Sequence, residues 1–239
     1  MIKGVNLGSG DWFDYPGWAG LDQVNGNRLT EKTVLPFEDN SLDYAYSSHF
    51  FEHVNNETSE RLFREAHRCL KPGGKVWFVV PDASLFLQKY RERDLAWFES
   101  LGFIGRREWK RFGLTTTVEN VVLHFLSNYD DHRSGSRRRG PPLIDPIEFY
   151  NKVNSATDKE CFEWIFSFLP EPQEGIVYGH INWWNEDKMK SFLEKCGFKN
   201  ATKGTIGNSL IKDANHFDDL TNRARDTYSL YFSAEKEEE

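Results

Sequence analysis

The chain has 239 residues, a formal net charge of −7, 38% hydrophobic residues and 15% aromatic residues. That length holds one full α/β core plus an insertion, or two small domains. The acidic balance argues against a dedicated nucleic-acid binder, whose footprint is basic. Cys69, Cys161 and Cys196 are far apart and odd in number. Neither a metal-ligand spacing nor a disulfide framework is expected from them, and a reducing cytoplasm is the simplest home. No apolar run approaches the roughly 18 residues of a membrane helix, and only Met1 to Lys3 precede the first strand. Neither a membrane segment nor a signal peptide is therefore expected.

Residues 3–8 read as a first strand, with Val5 and Leu7 inward, running into the stretch VNLGSG. Gly8 and Gly10 directly after a strand allow a sharp turn and a close approach to a ligand; a plain tight turn is the alternative. Asp11 to Gly17 contains Pro16 and two acids and is too short for a good helix. Trp18 to Asp22 forms a second short strand, and an acid at its end can accept hydrogen bonds from both hydroxyls of a ribose. A turn-like stretch, Gln23 to Lys32, leads into Thr33 to Phe37 (TVLPF), and Asp39 to Ser41 make a turn. Leu42 to Ser47 alternates apolar and polar side chains as a strand does.

Residues 57–70 space Leu62, Ala66 and Leu70 by four, with Phe63 beside them, which predicts an amphipathic helix. Asn55 or Asn56 is its N-cap and Gly73, just past Pro72, its stop. Gly74 to Pro81 is continuously apolar and β-branched, as a central strand buried on both faces of a parallel sheet must be. From Ala83 to about Val177 the periodicity is helical. One helix holds Leu85, Leu87 and Tyr90; a second holds Val118, Val121, Val122 and Phe125. A third opens at Thr157 with Glu160 as a capping box and buries Phe162, Ile165 and Phe168. Asn185 to Gly197 is a helix with Met189, Phe192, Leu193 and Cys196 inward; Phe198 to Ile206 and Thr227 to Glu235 are closing strands. The expected architecture is α/β, with a core of residues 1–82 and 179–239 and a helical insertion of residues 83–178.

Taken together, VNLGSG, Asp22, LPFEDNSLDYAYSSHFFEHV, LKPGGKVWFVVPD and a late helix ending in CGF resemble the class I S-adenosylmethionine-dependent methyltransferases. The nearest pattern is the branch with LPF-x-D-x-S-x-D, then EH, then L-KPGG. The resemblance implies a doubly wound, mostly parallel Rossmann-like sheet with a helical insertion after the fifth strand, Thr33 to Phe37 occupying the third strand's place. It implies S-adenosyl-L-methionine as cofactor. Gly8 and Gly10 would lie against its methionine part, and Asn6 (where many members have an acid) beside its amino-acid portion. Asp22 would take the ribose hydroxyls, Leu35 the adenine, and Ser47, Ser48 and His49 the cleft beside the sulfonium. Only 11 residues separate Gly10 from Asp22, so the family's long first helix is short or missing; Trp12, Phe13 and Tyr15 cover the cofactor there or pack on the sheet.

For proton removal from the acceptor the candidates are His49 first, then His180, then Asp82. A histidine bonding a loop carbonyl, an N-cap at Asp82 and a turn at His180 are their structural alternatives. His49, Glu52 and His53 spell H-x-x-E-H, an inverted zinc-protease signature, but they follow directly on a strand, so no metal is expected, and Glu52 and His53 tie the strand end to the next loop. His124 and His132 read as surface or packing residues. Arg133, Arg137, Arg138 and Arg139 form a solvated loop or a clamp for phosphate. Trp97, Phe98, Trp109, Phe112 and Phe125 pack the insertion or stack on a ring-shaped substrate. The expected activity is cytoplasmic carbohydrate modification: O-methylation of a sugar or sugar derivative, phosphorylated or nucleotide-linked, without nucleic acid or membrane. Transfer to nitrogen or a carboxylate is the alternative. A nicotinamide-dependent oxidoreductase would want glycine where Phe13 stands.

Overall fold

The computed structural model describes residues 1–10, 13–22, 29–101, 118–119, 121–122, 144–167, 180–222 and 225–238. The chain divides into two units, Met1–Asp82 with Trp184–Glu239, and Ala83–Trp183. The first is built on a six-stranded sheet of order β2-β1-β3-β4-β6-β5. Its strands are β1 (Gly4–Leu7), β2 (Trp18–Leu21), β3 (Leu42–Ser48), β4 (Leu70–Pro81), β5 (Lys199–Gly204) and β6 (Ser229–Glu235). β1 pairs in parallel with β2 and β3, and β3 with β4; β6 runs antiparallel to both β4 and β5. All four residues of β1 and the run Val76–Pro81 are buried, as a sheet covered on both faces requires.

Alternation of side chains assigns each face its cover. Val5, Leu7, Ala45, Val76, Phe78 and Val80 join one core with Leu62, Phe63 and Ala66 of α1 (Asn56–Cys69) and with Met189 and Leu193 of α6 (Glu186–Lys195). The Asn55 side chain accepts from the Thr58 N–H and so caps α1, which ends at Cys69, one residue before the expected end of the 57–70 helix. The Asn185 side chain caps α6 in the same way through Lys188. Trp18, Tyr46, Trp77, Val79 and Tyr231 face the other way, against Ala214 and Phe217 of α7 (Lys212–Thr221). Phe13 and Tyr15 set their rings edge-on to Phe217, with centroids 5.3 and 4.9 Å away, so they belong to this second core.

Thr33–Phe37 is not a strand. Pro36 has no N–H for a ladder, and side chains of α1 hold the segment instead. Arg61 donates to the Thr33 carbonyl at 2.6 Å, Arg68 to those of Leu35 and Phe37 at 3.1 and 3.0 Å, and the Leu35 N–H donates to Glu65 at 2.9 Å. In chain order, β4 is therefore the fourth strand of this sheet. α7 has no clear apolar stripe in the sequence, because its inward face is partly polar. Asp218, fully buried, accepts from Trp77 Nε1 (2.8 Å), Tyr46 OH (2.9 Å) and Asn222 Nδ2 (2.8 Å).

The second unit contains α2 (Ala83–Arg91), α3 (Leu95–Ser100), helical residues at 118–119 and 121–122, α4 (Pro146–Ser155) and α5 (Asp158–Phe166). Thr157 and Glu160 form the capping box expected for α5. Tyr90 donates to Glu119 at 2.7 Å, and Arg91 reaches the Val153 carbonyl at 3.0 Å and Asp158 at 2.6 Å. Phe98 is fully buried, and Trp97 packs edge-on to Phe86.

Candidate active site

Parallel pairing sends the carboxyl ends of β1, β2, β3 and β4 to one edge of the sheet, where doubly wound folds form their ligand crevice. Gly8, Asp22, His49 and Asp82 immediately follow these four strands. Because β6 is antiparallel, its first residue, Ser229, arrives at the same edge and pairs with Pro81.

The glycine turn is closed by three backbone donors. Gly8 and Ser9 N–H groups donate to the Leu21 carbonyl at 2.8 and 3.3 Å, and the Gly10 N–H donates to Asp22 Oδ2 at 2.9 Å. Gly8 and Gly10 have φ of +76° and +70°, a conformation only glycine adopts freely. They differ in surroundings: a Cβ on Gly8 would lie 2.4 Å from the Phe50 ring, whereas one on Gly10 would meet nothing within 4 Å. Asn6, one residue inside β1, is buried, and among the described residues its Oδ1 has no hydrogen-bond partner. A buried amide oxygen without a donor is costly, so this atom is suited to receive one.

His49 leaves β3 with φ of +51°, a left-handed conformation that strains a residue with a Cβ. Its N–H donates to the Val79 carbonyl at 2.8 Å, which locks the turn onto β4. The ring is held at both nitrogens, Nδ1 by Glu52 Oε1 at 3.1 Å and Nε2 by Ser229 Oγ at 3.0 Å. The Tyr228 ring meets it in a T-shaped contact, centroids 6.1 Å apart. Glu52 sits in a 3-10 turn, Phe51–His53, with its side chain 2% exposed, and His53 Nε2 is 4.0 Å away.

The remaining candidates have settings of their own. Ser47 Oγ donates to the Leu7 carbonyl at 2.8 Å, and Ser48 Oγ to Asn222 at 2.8 Å, so both hydroxyls tie structural elements together. Leu35 is buried in the core that α1 covers. The Asp82 carboxylate lies 3.2 Å from Lys203, and its N–H donates to the Tyr228 carbonyl. His180 is buried and belongs to the second unit. Trp12, Trp109, Phe112, His124, Phe125, His132, Arg133, Arg137, Arg138 and Arg139 lie outside the described residues. Burial pushes the Cys69 and Cys196 thiols up to about 11, far from the thiolate that nucleophilic chemistry needs. Ser229 carries no signal in the sequence, since no local pattern connects it with His49 across 180 positions.

Comparison with known proteins finds similarity to methyltransferases over part of the chain. Residues 22–78 match the family described as Methyltransferase domain. The phosphoethanolamine N-methyltransferase 2 of Caenorhabditis elegans is 44% identical over 52 residues, 22% of this chain and 11% of that protein. The glycine/sarcosine/dimethylglycine N-methyltransferase of Actinopolyspora halophila is 35% identical over 100 residues, 40% of this chain and 17% of that protein. The chain thus spans a small part of the length of the curated relatives it matches. Among solved structures, an S-adenosylmethionine-dependent methyltransferase of Mesorhizobium loti superposes with a TM-score of 0.41 at 18% identity, covering 98% of this chain and 91% of that one.

Proposed function

We propose that this chain transfers a methyl group from S-adenosylmethionine to a small molecule. The observation that carries the reading is the bond between the Gly10 N–H and the Asp22 carboxylate. It places an open glycine turn beside an acid on the crevice edge, next to the buried Asn6 Oδ1 that lacks a donor among the described residues. These residues fit the cofactor. Asn6, Gly8 and Gly10 would hold its amino-acid portion, with Asn6 accepting from an ammonium, and Asp22 would accept from the ribose hydroxyls. Leu35 supplies apolar packing on the adenine side, and Ser47 and Ser48 keep the intervening wall rigid through their protein partners. When bound, the cofactor supplies an electrophilic methyl group on a sulfonium.

The chain's own part is positioning, water exclusion and proton removal. Holding two reactants in line is worth up to roughly 7–11 kcal/mol, and a base in reach about 10²–10⁴-fold. His49, at the crevice with a buried carboxylate on Nδ1, is the base in this reading. Asp82 and His180 are the other candidates for contact with the acceptor. A sugar hydroxyl is the proposed acceptor, because an alcohol must lose a proton and His49 is the base of this reading. An amine is the second reading, favoured by the N-methyltransferase names of the two curated relatives.

Titration calorimetry with S-adenosylmethionine and its demethylated product is the first test, followed by methyl uptake from labelled cofactor into sugar nucleotides, phosphosugars, phosphoethanolamine and glycine. Heat with the sulfonium compound and label in one acceptor class are expected. No heat with it, together with binding of a nicotinamide dinucleotide, would overturn the assignment.

A further inference from the structure

Glu52, His49 and Ser229 form a linear array, carboxylate to Nδ1 and Nε2 to hydroxyl, with contacts of 3.1 and 3.0 Å. Its inner end is buried and its outer end half-exposed, on the crevice edge. Glu52 Oε1 faces Nδ1 from a carboxylate almost wholly removed from water, and a relay through this ring requires that Nδ1 carry a proton. That leaves Nε2 as the atom that changes state. With neutral imidazole, Nε2 accepts from the Ser229 hydroxyl. With imidazolium, Nε2–H donates to Ser229 Oγ, and the hydroxyl hydrogen needs another acceptor. The Arg225 carbonyl stands 2.8 Å from Ser229 Oγ and supplies it. Every hydrogen therefore has a partner in both protonation states, and Ser229 can pass a proton inward with little more than a rotation of its hydroxyl.

We infer that Ser229 is the acceptor-facing end of a proton relay, taking the proton of the methyl acceptor as it hands its own to His49 Nε2. The inference rests on the methyl-transfer reading and deepens it, since it names the group that meets the acceptor. The step balances. The sulfur–methyl bond breaks with its electron pair left on sulfur, and a bond forms between the methyl carbon and the acceptor atom. The acceptor's proton goes to Ser229 Oγ, and the hydroxyl's own proton goes to Nε2. An imidazolium is left against the Glu52 carboxylate, and it later returns its proton to water through Ser229. Position along the chain gives no hint of this role; it depends on β6 running antiparallel, which brings its first residue to the end where β3 and β4 finish.

The test has two arms on the full chain. In nitrogen-edited NMR with labelled histidine, His49 is expected to show a protonated Nδ1, and Ser229→Ala is expected to shift the Nε2 resonance while Nδ1 stays put. In steady-state methyl uptake with phosphoethanolamine and with UDP-glucose as acceptor probes, Ser229→Ala is expected to lower kcat by about 10²-fold. The cofactor Kd should be unchanged by calorimetry, and Ser229→Thr, which keeps the hydroxyl, should recover most of the loss. An unprotonated Nδ1, an Nε2 resonance indifferent to Ser229→Ala, or a loss that Thr does not restore overturns the relay. Absence of methyl uptake with both probes counts against the methyl-transfer reading instead, and the ring spectra still decide the relay.

Discussion

The Gly10 N–H donates to Asp22 Oδ2 across 2.9 Å, joining the turn after β1 to the residue that follows β2. A carboxylate that accepts from backbone is held in orientation, and its other oxygen is directed by the same bond. Charge-assisted hydrogen bonds contribute about 1.5–3 kcal/mol. Asp22→Ala is therefore expected to weaken S-adenosylmethionine at least about tenfold in calorimetry. Asp22→Asn, which keeps an oxygen for Gly10, should fall between Ala and the native residue. Equal affinity in all three would remove Asp22 from the cofactor site.

The two glycines of the turn should respond differently to alanine. Both carry the left-handed penalty of about 1–2 kcal/mol. At Gly8 the added carbon would also stand 2.4 Å from the Phe50 ring, whereas at Gly10 it projects into open space. Urea denaturation should show Gly8→Ala as the more destabilised of the pair. Gly10→Ala should remain folded yet bind cofactor poorly, because its methyl occupies the space a ligand needs.

His49, the proposed base, offers a clean substitution. Its left-handed backbone is one that asparagine tolerates, so His49→Asn removes the imidazole with little added strain. Turnover is expected to drop about 10²–10⁴-fold with cofactor affinity preserved. Unchanged turnover would exclude His49 from proton removal.

Asp218 accepts from three donors, and two of them, Tyr46 of β3 and Trp77 of β4, anchor α7 to the sheet. In Asp218→Asn the amide nitrogen would have to face at least one of them, and a loss of about 1–3 kcal/mol in chemical denaturation is expected. Burial raises the native carboxyl above its ordinary 3.8, with the Trp77, Tyr46 and Asn222 bonds pulling it back in part. A raised folded value means that this group's contribution is full below about 3.8 and is lost as pH climbs through the folded value. The amide of the variant does not titrate. The native protein's stability advantage over Asp218→Asn should therefore be flat below that window and narrow across it as pH rises.

Glu65 has the opposite sign. Burial would raise its carboxyl, but the Arg68 guanidinium and the Leu35 N–H outweigh it and hold it below 4.5. Its contribution is therefore present above 4.5 and lost as pH falls through the folded value. Arg68→Ala should flatten that part of the acid-unfolding curve. It should also release Thr33–Phe37, which proteolysis would detect as new cleavage near Leu35.

Much of the first unit was legible because its signals are local. The spacing of Leu62 and Ala66 together with an asparagine cap defines α1, and the run Val76–Pro81 defines the central strand. Asp145 before Pro146, an N-cap with proline in the first turn, was an available sign of α4 that composition obscured. α7 was hidden because its inward face carries Asp218, and a buried acid is recognisable only once Trp77 and Tyr46 are seen to meet it. Thr33–Phe37 has a strand's composition but spends its backbone groups on arginine and glutamate side chains of α1.

The amino-acid order alone determined the elements whose hydrogen bonds and apolar contacts close within a few residues, and with them the glycine turn and its answering acid. Tertiary structure decided what lies against His49. The reason is that Glu52, three positions on, and Ser229, 180 positions on, come together only when β6 enters the sheet reversed, and no short-range pattern records the direction of a strand.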